Sequence, residues 1–171
     1  MPVLRRRTLL AVGVTAGAAL ALAGGTLALL QPGLQADGRL APAGREVFGA
    51  VARAVLAGLL PPAPAQQAAL AALLDRLDAT LQGLPPAVQA EVGEMLTLLA
   101  SAPGRVLLTG LRSDWAAADT AELTDMLQAL RRSSLALRQQ LYRALRDLVN
   151  AAWFADPTAW SPIGYPGPLK L

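Results

Sequence analysis

Between residues 45 and 155 apolar side chains recur at intervals of three and four, in runs separated by prolines, and this pattern points to packed helices. The first run, 45–60, sets Phe48, Val51, Val55 and Leu59 on one side and stops at Pro61-Pro62. The second, 64–82, opens on Pro64, carries Leu70, Leu73, Leu74, Leu77 and Leu81, and ends beside Gly83. Its Asp75, Arg76 and Asp78 are expected to face water. Pro85-Pro86 opens a third run to residue 101, with Val88, Val92, Met95, Leu96 and Leu99 as its stripe, until Pro103-Gly104 breaks it. Residues 106–111 read as one or two helical turns, although Val106-Leu107-Leu108-Thr109 alone also fits a strand. Asp114-Trp115 falls in a loop. Asp119 and Glu122 have capping-box spacing ahead of Leu123, Met126, Leu127 and Leu130. Ser133 or Ser134 is placed to cap the last helix, striped by Leu137, Leu141, Leu145, Leu148 and Trp153 and stopped by Asp156-Pro157. With no strand-helix alternation and no glycine-rich phosphate loop, the expected class is all-α, a small bundle of four to six helices.

Little in this chain can do chemistry. It has no cysteine and no histidine. That excludes disulfides, thiol redox work, Ser-His and Cys-His catalysis, c-type haem attachment and zinc held by thiolate or imidazole. The formal charge of +3 resides in Arg5-Arg6-Arg7, and beyond them acidic and basic residues balance. The body therefore lacks the basic field that nucleic-acid binding needs. Two carboxylate pairs, Asp75 with Asp78 and Glu91 with Glu94, have the spacing of a metal or acid-base pair, but they occupy positions expected on the solvent side. No catalytic, metal or cofactor-binding residue is assigned, and the chain reads as non-enzymatic. Arg131, Arg132, Arg138, Arg143 and Arg146 form a basic stretch, preceded by Asp114, Asp119, Glu122 and Asp125. Two readings stand: the acidic helix pairs with the basic one, or the arginines face an acidic partner protein.

Residues 1–36 read as an export signal. Arg6-Arg7-Thr8-Leu9-Leu10 opens a stretch without charge as far as Ala36. This resembles the twin-arginine (Tat) translocation signal, in which Arg6, Arg7, Leu9 and Leu10 would be recognised by the Tat translocase. Gly13, Gly17, Gly24 and Gly25 dilute the apolar core in a way that suits this route. The alternative is an ordinary signal or an anchor with flanking arginines. Ala21-Leu22-Ala23 offers a cleavage site before Gly24. Yet residues 9–30 number 22, enough to span ~30 Å of hydrocarbon, so an uncleaved leader would hold the protein at the inner membrane. Residues 37–44, with Gly38, Pro42 and Gly44, read as a linker, and 45–155 as the helical domain.

The end of the chain differs in composition. Tyr142, Trp153, Phe154, Trp160 and Tyr165 are five of its seven aromatics, and Pro157, Pro162, Pro166 and Pro168 stiffen the segment beyond the last helix. Residues 156–171 are expected to form an extended docking tail. As a strap such a segment caps a core. As a docking element it uses rings that bury much area at low entropic cost, pre-ordered by proline.

Phe154-Ala155-Asp156-Pro157, Trp160 and Ile163-Gly164-Tyr165-Pro166-Gly167, behind a twin-arginine leader and an arginine-rich helix, resemble the small (gamma) subunits of bacterial FAD-dependent dehydrogenases, of the gluconate 2-dehydrogenase subunit 3 type. The likeness is close over about fifteen tail residues and general elsewhere. A Tyr-Gly-Gly-Asn insertion after Asp-Pro in the gluconate type is missing here, which suggests a related branch. The resemblance implies an accessory subunit that binds, stabilises and co-exports a gluconate-dehydrogenase-like or GMC-type alcohol or sugar dehydrogenase to the periplasm. FAD would sit in that large subunit and no cofactor in this chain, with a cytochrome c subunit as a further partner. Arg138, Tyr142, Arg146, Trp153, Phe154, Asp156, Pro157, Trp160, Gly164, Tyr165, Pro166 and Gly167 would grip the large subunit. The alternative is a free-standing periplasmic or membrane-anchored helical protein with a structural or binding role.

Overall fold

A computed structural model of the chain describes residues 30–167. The leader positions Arg6, Arg7, Leu9 and Leu10, and residues 168–171, lie outside the described residues. Six α-helices are found among the described residues: α1 Pro42–Val55, α2 Ala65–Gln82, α3 Pro86–Ala100, α4 Ala102–Thr109, α5 Thr120–Arg132 and α6 Ala136–Phe154. Two 3-10 turns, Pro157–Ala159 and Ser161–Ile163, come after α6. The all-α expectation holds: among the described residues the only β-pairing is an isolated bridge between Leu34 and Leu40.

The apolar periodicity falls where helices bury one side. Phe48 and Val51 of α1, Leu73, Leu77 and Leu81 of α2, Leu96 and Leu99 of α3 and Leu123, Met126, Leu127 and Leu130 of α5 are all buried. In α6 the buried line runs through Leu141, Leu145, Val149, Ala152 and Trp153, while Leu137 and Leu148 sit at its margin. The bundle is arranged around α1, which packs against α2, α3, α5 and α6. Its small buried residues, Ala43, Gly44, Ala50 and Ala52, allow neighbouring backbones to come close from several sides.

Residues 33–41, expected to be a signal end and linker, form a strap that lies against the bundle with Gln35, Asp37 and Arg39 exposed. Leu40, Ala41, Ala43 and Gly44 are buried, and α1 already begins at Pro42. Gly33 donates its N–H to Thr97 Oγ1 at 2.9 Å and accepts from Ala41 N at 3.1 Å. A side chain on Gly33 would collide with Leu96, and one on Gly44 with the Gly33 carbonyl. Glycine is present at both places because two backbones cross there.

The structure differs from the local sequence pattern in four places. Residues 106–109 are the last turn of α4, which bears out the helical reading of the 106–111 run, but Pro103-Gly104 lies in the first turn of that helix instead of outside it. Proline is tolerated there because its missing N–H would have had no helical partner. Half of the capping box forms: Asp119 Oδ1 accepts from Glu122 N at 2.8 Å, whereas the Glu122 carboxylate takes the Ser113 hydroxyl at 2.8 Å. Neither Ser133 nor Ser134 caps α6, whose N-cap is Leu135 without a side-chain bond. Trp115 is buried under the bundle, its Nε1 donating to Leu99 O at 2.8 Å.

Candidate functional site

Residues 156–167 of the tail are compact rather than extended. α6 ends because Asp156 turns out of the helix before Pro157, and Asp156 Oδ1 then accepts the amide and hydroxyl of Thr158 at 2.9 and 2.7 Å. Its Oδ2 meets Arg76 Nη1 at 3.1 Å, while Arg76 Nε donates to Ala152 O at 2.8 Å, so α2 holds the end of α6 and the turn together. The Thr158 hydroxyl bond, then the Thr158 amide, with a smaller share from Arg76, holds the Asp156 carboxyl below its usual value.

Pro157 opens the first 3-10 turn and Pro162 is the second residue of the next, which Gly164, at φ 72°, closes in a conformation that a side chain would strain. Tyr165 N returns to Trp160 O at 3.0 Å, and Trp160 Nε1 donates to Phe154 O at 2.8 Å. The Trp160 and Tyr165 rings stand edge to face with centroids 5.5 Å apart. Gly167 lies against the Trp160 ring, close enough that a methyl there would press on it.

The grip residues expected from the sequence divide accordingly. Trp153 is buried in the core. Tyr142, Phe154 and Trp160 are half-buried against that core. Asp156 is committed to Thr158 and Arg76. Pro157, Gly164, Tyr165 and Pro166 are exposed, with Tyr165 open over 46% of its surface. They line a shallow groove of about 390 Å³ with Trp160 and Ser161. A second groove, about 510 Å³, runs on the other side of the turn between Leu59, Pro61, Ala69, Arg76 and Pro162. Ile163, exposed beside Tyr165, carries no periodic signal in the sequence, although its place between Pro162 and Gly164 marks a displayed apolar tip.

The arginines are not spent on the acidic residues that precede them. Asp114 pairs with Arg105, Asp119 caps α5, and Glu122 takes Ser113. Among the described residues, Arg131 and Arg132 have no ion-pair partner, Arg143 reaches only Gln139 at 3.4 Å, and Arg146 has only a loose contact with Asp147 at 3.5 Å. Arg138 donates to the Leu107 carbonyl at 2.9 Å.

The expectation that Asp75 and Asp78 both face water fails for Asp78. It is 9% exposed, accepting from Leu40 N at 2.8 Å and from Arg45 Nη1 at 2.7 Å, while Arg45 Nη2 reaches Asp75 at 2.8 Å. Those carboxylates, led by the Asp75 hydrogen bond, raise the Arg45 pKa. A signal was present: Asp78 lies four residues after Leu74 and three before Leu81, on the apolar stripe. Arg105 is likewise buried, and nothing in its local pattern marked it. Among the described residues no group of three or more acidic side chains is arranged to hold a metal, and no helix is long and apolar enough to cross a membrane. No protein-family model, curated protein or solved structure matches the chain.

Proposed function

We propose that the chain is a non-catalytic accessory subunit that binds a FAD-dependent dehydrogenase large subunit and accompanies it through the Tat system to the periplasm. One observation carries the reading most: the segment that resembles the small-subunit tails is folded onto α6 by its own hydrogen bonds and still presents Tyr165, Pro166 and Ile163 to solvent. A pre-ordered aromatic surface binds at low entropic cost. The arginines of α6 add support, since Arg143 and Arg146 remain available to an acidic partner. The leader contributes the paired Arg6 and Arg7 at the amino end of an uncharged run.

The alternative, a free-standing helical protein with a structural or binding role, draws on a different observation: α1 to α6 close a hydrophobic core without help from another chain.

The two readings separate on purification from the native source. The escort reading expects a stable complex with a larger chain that shows a flavin spectrum. It also expects Arg6→Lys with Arg7→Lys to leave both chains in the cytoplasm. A lone, stable monomer, or normal export of the flavoprotein with the double variant, would overturn it.

A further inference from the structure

At the end of the bundle away from the tail, three aliphatic side chains project into water. Val106 is 44% exposed, Leu107 67% and Leu135 59%. The Arg138 bond to the Leu107 carbonyl ties α4 to the first turn of α6, which places Leu107 and Leu135 on one surface. Arg131 and Arg132, in the last turn of α5, complete its border, and neither has an ion-pair partner among the described residues. Favourable interaction with the helix C-terminus accounts for arginine at those positions. It does not account for leucines standing out beside them.

We propose that this end of the bundle docks on an anionic lipid bilayer. The shape and the charge of the surface identify the occupant. Protein hot spots are dominated by tryptophan, tyrosine and arginine seated in pockets. Here the apolar groups are aliphatic and convex, and the two grooves lie at the tail. Projecting leucines fit a soft apolar layer, and guanidinium groups at its rim fit lipid phosphates with paired hydrogen bonds. Of the carboxylates on α5, Asp119 and Glu122 are engaged at its opposite end, and exposed Asp125 forms no ion pair with Arg131 or Arg132 among the described residues. α6 has 19 residues, about 28 Å at 1.5 Å per residue, so lipid at one end leaves the tail free at the other.

The absence of cysteine makes the test direct. Full-length protein carrying Leu107→Cys, Leu135→Cys or, as a control at the tail, Ile163→Cys is labelled with an environment-sensitive dye. It is then mixed with vesicles of phosphatidylglycerol or of phosphatidylcholine. The expected result is a blue shift at positions 107 and 135 on phosphatidylglycerol alone, with none at 163. Arg131→Glu with Arg132→Glu should weaken that response about tenfold or more while leaving the leader intact. Silence at both 107 and 135, an equal shift at 163, or an equal shift on phosphatidylcholine would overturn the proposal. So would a shift produced equally by soluble polyglutamate, which would assign the surface to acidic protein. No flavoprotein is present in the assay, so its outcome is independent of the escort reading.

Discussion

Asp78 shows how much one side chain can hold. It takes a backbone amide from the strap and a guanidinium from α1 while anchored in α2, so three segments meet on one carboxylate. Asp78→Ala leaves the Leu40 amide without an acceptor near the core and Arg45 with only the exposed Asp75, and should cost about 3 kcal/mol, read as a lower urea midpoint at unchanged slope. Asp78→Asn keeps an acceptor for Leu40 and should cost less. Asp156 is the residue through which pH reaches the tail. Its folded pKa lies below the usual 3.8, so its contacts contribute fully above that value and are lost as the pH falls through the depressed one. Acid should therefore loosen the Trp160 turn before the bundle melts, seen as a change in tryptophan emission. Asp156→Asn should abolish that step, and a step that persists in this variant would place its cause elsewhere.

At the scale of elements, the tail and α6 act as one unit with two kinds of residue. Trp160 packs against the core and bonds to Phe154, whereas Tyr165 leans on Trp160 and is open to solvent. Tyr165→Ala should leave thermal unfolding nearly unchanged and weaken the complex with the large subunit by about 2 kcal/mol. Trp160→Ala should lower both stability and affinity. Equal binding by wild type and Tyr165→Ala, measured by calorimetry, would confine the tail to capping its own bundle. α5 and α6 pack together, yet their charges remain unpaired across the junction because the acidic residues sit at the start of α5 and the arginines at its end.

For the whole molecule, the boundary of the folded body lies earlier than the first helical run. Gly33 to Leu40 is held by Thr97 of α3 and Asp78 of α2, and Leu40 is buried. Removal of residues 1–29 should preserve a single cooperative unfolding transition. Removal of 1–40 should destabilise the body by several kcal/mol, about 2 of them from burial of Leu40 and the rest from the lost Leu40 amide on Asp78 and the lost Gly33 bond to Thr97. Calorimetry of the two truncated chains decides this, and equal melting temperatures would mean that the strap is dispensable.

Helix class, the positions of the apolar stripes and the proline stops were legible in the sequence, because each depends on neighbours three or four residues away. The burial of Asp78 and Arg105, the role of Gly33, the folding of the tail onto Trp160 and the choice of α1 as the central helix were settled only in three dimensions. Each depends on partners remote in the chain, such as Leu40 and Asp78, 38 residues apart. A local pattern can mark a side chain as polar, but only packing decides whether water or another segment supplies its hydrogen bonds.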